Sequence, residues 1–379
     1  MPNSWVELNL EALAWNHCLI ISRMSADTQL LAVVKANAYG HGMAVVAPAL
    51  WDLGVRWFGV ASVEEGAELR EALPEAHVLV LGCILEQDLD ALFENDLIPA
   101  VSSSHLASLL NDKAQRRGTQ LAVHLKIDTG MGRLGTHVRE LGTFLRELGL
   151  MPHLRVEGML SHFSSADEED LAPSQEQLQK FDAAVEMTRS AGFPLRWAHV
   201  ANSNAIFRIS QSHFTMVRAG LFLYGLYPTK DYPNDFALKP VLEWKSRVGL
   251  IKHFSAGQTV SYGRTHTVRK PTKVAVIPLG YADGYSRALS GRGKVLIRGE
   301  FAPVIGRVTM DHLMVDIGHI PAAEAGDEVV LIGAQGKRRI GAEDIADWLG
   351  TISYEVVCGI GPRVKRIKKK DFIMHTQDA

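Results

Sequence analysis

The sequence predicts an α/β fold: a (β/α)8 TIM-type barrel followed by a smaller, mostly β C-terminal domain. Three observations lead there. The chain has 379 residues, too many for one small core, so two domains are expected. Its first two-thirds alternate short apolar runs with amphipathic stretches, the pattern of a parallel sheet with helical crossovers. After about Lys239 the character changes to short β-rich runs punctuated by Gly and Asp.

Eight apolar runs read as strands, at 30–35, 57–61, 77–81, 97–101, 121–127, 155–160, 197–201 and 215–218. Eight is the number that closes a barrel rather than leaving an open sheet. The clearest helices between them fall at 64–73, 104–115, 138–148 and 174–190, with Ser104 as one cap and Ser174-Gln-Glu-Gln opening another like a capping box. Further runs at 241–252, 272–278, 293–297, 301–308, 312–317 and 328–332 read as strands of the second domain, with 342–349 as its one helix. The turn-prone stretch 228–240, with Asp-Tyr-Pro-Asn-Asp inside it, is the expected boundary. The domains are drawn at 1–235 and 236–379, and the strand-like opening Ser4–Leu8 is able to join either.

Composition narrows the function. Hydrophobic residues make up 47% and charged residues 22%, and the formal net charge is −2. Such a chain has no general attraction for nucleic acid or anionic membranes, and its basic end, residues 363–370, reads as a solvated tail. Cys18, Cys83 and Cys358 are odd in number and without a CxxC pair, which fits neither a disulfide framework nor a zinc site. The opening Met1-Pro-Asn-Ser-Trp-Val-Glu-Leu lacks a basic start and an apolar signal core, and no apolar run is long enough to span a bilayer. The expected compartment is the cytoplasm, with no metal bound.

The first strand runs into Val34-Lys35-Ala36-Asn37-Ala38-Tyr39-Gly40-His41-Gly42. A lysine directly after a buried strand has two readings. It snorkels from the barrel rim, or desolvation lowers its pKa and makes the amine a nucleophile suited to a Schiff base. The string resembles the pyridoxal 5′-phosphate (PLP) attachment signature of alanine racemases, and further motifs follow in that family's order over nearly the whole chain. The resemblance implies a homodimer, each chain a barrel followed by a β domain. It implies that Lys35 binds PLP covalently and that Tyr39 lies beside the cofactor phosphate.

The same resemblance assigns the other motifs. In His124-Leu-Lys126-Ile-Asp128-Thr129-Gly-Met131-Gly-Arg133, Arg133 contacts the cofactor oxygen and the substrate carboxylate. Lys126 matches a lysine that is carbamylated in some members and braces that arginine. His162 packs against PLP. Asn202, Ser203, Gly220 and Leu221, after strands seven and eight, lie at the phosphate end, where barrels commonly hold phosphate on backbone N–H groups. Arg218 faces the pyridine nitrogen. An arginine there keeps that nitrogen unprotonated and weakens PLP as an electron sink, which suits simple proton exchange.

In the β domain, Tyr262 is implied as the second base, reaching the site from the partner chain, because racemisation needs a proton donor and acceptor on each face of one carbon. Tyr262 serves L-alanine and Lys35 serves D-alanine. A tyrosine needs nearby positive charge or hydrogen-bond donors to act so. Tyr281 lines the entry path, Met310 and Asp311 come from the partner and contact substrate, and Tyr354 packs over the cofactor. The implied reaction interconverts L- and D-alanine, supplying D-alanine for peptidoglycan or degrading it. Three other readings remain: a serine or broad-specificity racemase, a barrel decarboxylase (which places an acidic group where Arg218 stands), and a non-catalytic PLP carrier (which lacks the β domain).

Overall fold

Eight parallel strands form a nearly closed ring in the first unit of the computed structural model, which describes residues 2–232 and 236–369. Around the ring they run Met216–Ala219, Gln29–Val33, Trp57–Val60, His77–Val80, Ile98–Val101, Leu121–Asp128, Leu154–Leu160 and Trp197–His199. Every neighbouring pair in that order is parallel. Between the last strand and the first, two bonds replace a regular ladder: Arg218 N donates to Ala201 O at 3.0 Å, and Ala198 N donates to Thr215 Oγ1 at 2.8 Å. This unit comprises Ala14–Ala38 and Met43–Leu223.

The strands are apolar because the ring is covered on both faces: all four residues of Ile98–Val101 and of Trp57–Val60 are buried. The outer helices bury one stripe each. Ser104–Arg117 buries Leu106, Ala107, Leu110 and Ala114, and each leucine so buried contributes about 1.5–3 kcal/mol. Two expected caps are corrected. Ser103 caps Ser104–Arg117, its side chain accepting from Leu106 N, because only the residue before the first helical one has the extended backbone that aims its oxygen inward. Ser174 is no cap: its helix starts two residues earlier, at Ala172, and Pro173 sits in the first turn, where its missing N–H costs nothing. The expected helix at 138–148 is a 3-10 turn, Val138–Glu140, followed by Leu141–Leu148.

The second unit holds the described residues up to Leu13, Tyr39–Gly42, and the described residues from Tyr224 onward. Its larger sheet orders Glu300–Pro303, Lys294–Ile297, Glu328–Gln335, Leu242–Arg247, Ser4–Leu8 and Lys365–Lys368. Ser4–Leu8 therefore belongs here, antiparallel to Leu242–Arg247. The described part of the basic end keeps most of its side chains exposed, as a solvated end should, but it is also a strand: Lys365–Lys368 pairs parallel with the opening strand, and Lys369 Nζ bonds Glu243 at 2.9 Å. A second sheet joins Leu250–Phe254, Thr272–Ile277 and Leu313–Asp316. The single helix expected at Ala342–Leu349 has a companion, Ser353–Cys358, which places Tyr354. Part of the expected domain boundary, residues 233–235, and the chain beyond Lys369 lie outside the described residues. Among the described residues, no helix is long and apolar enough to cross a membrane.

Candidate active site

The polypeptide leaves the first barrel strand through a left-handed turn. Ala36, Asn37, Ala38 and Tyr39 all have φ between 52° and 54°, a conformation that costs an ordinary residue about 1–2 kcal/mol. Four consecutive residues hold it because their polar groups are tied. Ala36 N donates to Glu65 Oε1 and Met43 N donates to Asn37 Oδ1, each at 2.7 Å, and Ala38 N reaches Val34 O at 2.7 Å. The other oxygen of Glu65 accepts Ala61 N at 2.7 Å. Lys35 is the residue this strained turn positions.

Positive charge gathers at the C-terminal ends of the barrel strands. Lys126 is buried, and burial first, then Arg218, Arg133 and Lys35, drive its ammonium well below the ordinary lysine range, with Asp128 opposing. Asp128 accepts the N–H groups of Gly130 and Gly132 at 2.9–3.1 Å, which folds the loop that carries the exposed Arg133.

Arg218 is 4% exposed, and burial lowers its pKa to about 9, so it stays a cation at neutral pH. Its neighbours are neutral acceptors. Nη1 donates to His199 O at 2.7 Å and His199 Nδ1 at 3.0 Å; Nη2 donates to Ser161 O at 2.6 Å, His162 Nδ1 at 3.1 Å and Val200 O at 3.1 Å. Among the described residues, only its Nε–H has no acceptor. Burial, then Arg218, pushes His162 and His199 well below the usual imidazole range.

Beyond strands seven and eight, Asn202 caps the short helix Ser203–Arg208 through Ala205 N at 3.0 Å. Gly220 N donates to Ser203 Oγ at 2.9 Å, and buried Leu221 follows in a 3-10 turn. These residues, with Lys35, Lys126, Arg133, His162 and Arg218, belong to the barrel unit.

The remaining predicted residues belong to the β unit and form two groups there. The Tyr39 ring lies 5.0 Å from that of Tyr224 and 6.2 Å from that of Tyr354, and burial, then the Cys358 thiol, raises its phenol pKa. The second group is a surface. Tyr262 is 72% exposed, Met310 53% and Tyr281 42%. One side-chain and two backbone bonds knit it: Ser261 Oγ donates to Arg307 O at 2.7 Å, Tyr281 N to Thr309 O at 3.0 Å and Ala282 N to Met310 O at 3.1 Å. Asp311 pairs with Arg363 at 2.9 Å.

Sequence reasoning missed Glu65, Tyr224 and the roles of His124 and His199. One signal was readable for His124. It alternates with Lys126 and Asp128 along one strand, so the three share a face.

The residues present fit a phosphorylated, planar cofactor on their chemistry alone. The barrel offers a lysine that opens a strained turn, a concentration of cations and, among the described residues, one undirected arginine N–H. The comparisons agree. Residues 8–228 match the family description "Alanine racemase, N-terminal domain", and residues 241–368 match "Alanine racemase, C-terminal domain". An alanine racemase of Halothermothrix orenii is 42% identical over 363 residues, covering 96% of each chain. The solved alanine racemase of Clostridium difficile 630 superposes with a TM-score of 0.92 at 36% identity, covering 96% of this chain and 95% of that one. That of Bacillus anthracis, solved with bound L-Ala-P, gives 0.91 at 34%, covering 98% and 96%. That of Bartonella henselae, with covalently bound pyridoxal phosphate, gives 0.88 at 28%, covering 97% and 100%. None of these relatives is named a decarboxylase, a serine racemase or a carrier. The chain belongs to the alanine racemase family.

Proposed function

We propose that this protein interconverts L- and D-alanine in the cytoplasm, with PLP held on Lys35 and with two copies of the chain building each site. When bound, PLP draws electrons from an amino acid attached to it and so acidifies the hydrogen on Cα. The observation that carries the reading is Arg218: a buried cation whose N–H groups, among the described residues, are all fixed on neutral acceptors except Nε–H. A positive donor at the pyridine nitrogen, rather than a carboxylate, separates a racemase from the decarboxylase reading.

Each residue then has a task at a stated atom. Lys35 Nζ holds the cofactor and moves the Cα proton on the face that serves D-alanine. Tyr262 Oη, contributed by the second copy, moves it on the opposite face for L-alanine. The exposure of Tyr262, Met310 and Tyr281 on one surface supports this, since a tyrosine base left in water would lack the electropositive neighbours it needs. His162, with Nδ1 accepting from Arg218, carries its proton on Nε2 and serves as a donor. Met310 N–H and Arg133 orient the substrate carboxylate with Asp311 nearby, Tyr39 stays a protonated donor at the phosphate, and Asn202, Ser203, Gly220 and Leu221 shape the phosphate end. Tyr281 and Tyr354 narrow the entrance to a small side chain.

Lys126 adds a further device. Burial and the cations beside it lower its pKa, which favours the free amine that adds to carbon dioxide with loss of one proton, and the resulting carbamate would neutralise Arg133. Removing bicarbonate would then raise KM and restoring it would reverse the change; indifference to bicarbonate rejects this role.

Incubation of the purified protein, supplied with PLP, with L-alanine in D2O tests the whole reading. Chiral chromatography should find D-alanine, and mass spectrometry should find deuterium at Cα in the inverted product. Release of carbon dioxide, or no turnover, would contradict it.

A further inference from the structure

A fourth polar side chain lies behind Arg218. His124 Nδ1 is 2.9 Å from His199 Nε2, and both imidazoles are fully buried. Donor and acceptor roles along this line are fixed by the arginine. A guanidinium only donates, so His199 Nδ1 must accept and the His199 proton sits on Nε2. That proton points at His124 Nδ1, which must accept in turn, so His124 is protonated on Nε2. The reverse arrangement would set a donor of His199 against a donor of Arg218.

The surrounding chain is shaped to admit this ring. The pairing of Leu121–Asp128 with Leu154–Leu160 shifts register between Val123 and His124. The residue opposite is Gly158, where a Cβ would stand 2.6 Å from the imidazole Nδ1 and Cε1. Among the described residues, the other nitrogen, Nε2, is buried with no hydrogen-bond partner. An apolar side chain would avoid that orphan donor, so fold stability alone does not select a histidine here. The Trp57 ring packs beside it, 5.8 Å away between ring centroids.

We propose that His124 is a positioning residue for the reaction: through His199 it locks the tautomer that presents a lone pair to Arg218 and so fixes the direction of the Arg218 guanidinium. This rests on the reading of Arg218 as the cofactor-facing arginine, but the tautomer chain itself does not depend on activity. The lowered imidazole pKa values along the line agree with neutral rings throughout; burial, then Arg218, takes His124 to about 3.

Two measurements test the proposal. Neutron diffraction from crystals of the deuterated, PLP-loaded protein should place a deuteron on Nε2, and none on Nδ1, of both His124 and His199. A deuteron on Nδ1 of either ring overturns the proposal whatever the enzyme catalyses. His124→Asn sets an acceptor oxygen near the position of Nδ1, whereas His124→Phe offers none. The phenylalanine variant should lose about tenfold or more in kcat with KM changed less, and the asparagine variant should recover most of that loss. Equal losses in both variants, or none in either, would overturn it. If the phenylalanine variant does not fold, the neutron result decides alone.

Discussion

Glu65 accepts the backbone N–H of Ala36 at 2.7 Å and thereby clamps the first residue of the left-handed turn that follows Lys35. Its second oxygen does the same for Ala61. One carboxylate thus ties the exit of the first barrel strand to the exit of the second. Hydrogen bonds to a charged group contribute about 1.5–3 kcal/mol when sheltered, and this pair is partly in water. Glu65→Ala should therefore lower the unfolding free energy by about 2–3 kcal/mol and weaken PLP binding, read by urea titration and equilibrium dialysis. A loss below about 0.5 kcal/mol would show that the turn is held by other contacts.

Gly158 is required by volume. Gly158→Ala should cost about 1–3 kcal/mol, the usual penalty for overpacking a core, because the new methyl meets the His124 ring. A double-mutant cycle isolates the cause: in a His124→Ala background the same substitution should cost far less. Equal costs in both backgrounds would place the strain elsewhere.

Acid should unfold the protein through the imidazoles packed around Arg218, of which His124 and His199 are fully buried and His162 partly. His124, His162 and His199 all have folded-state pKa values below the reference of 6.5, with burial leading and Arg218 second. Above that reference both the folded and unfolded chains carry them neutral, and the contribution is flat. Below it the unfolded chain binds protons that the folded one refuses, so stability falls as pH drops from 6.5 toward the lowered values. Each group gives at most about 1.4 kcal/mol per pH unit, and three give about 4. The urea midpoint should be lower at about pH 5 than at about pH 7.5, with a shallower slope in His124→Asn. A midpoint that rises on acidification would contradict the neutral-ring assignment.

Much of the barrel was legible because its strands are buried runs of fixed length between capped helices, and each of the eight expected runs overlaps an observed strand. What escaped depends on the tertiary environment. Ser174 has a cap's sequence context, yet the helix starts earlier and packs it inside. The tail at Lys365–Lys368 is polar enough to read as solvated, and becomes a strand because Ser4–Leu8 offers it an edge. The lysine signature stood out by its string of residues. Glu65 did not, since a glutamate in the first turn of a helix is ordinary there, and its bond to Ala36 spans 29 positions. His124 and His199 were visible as letters, but their coupling comes from three neighbouring strands.

The central claim is that one proton shuttle comes from each copy of the chain, and mixing two inactive variants tests it most directly. Lys35→Ala and Tyr262→Phe should each lose activity by orders of magnitude. A mixed dimer of the two has one site with both defects and one with an intact Lys35 facing an intact Tyr262. Unfolding, mixing and refolding equal amounts with PLP should therefore restore racemisation to about a quarter of the wild-type rate if copies pair at random. A mixture as inactive as its components, or full activity in Tyr262→Phe alone, would contradict the account.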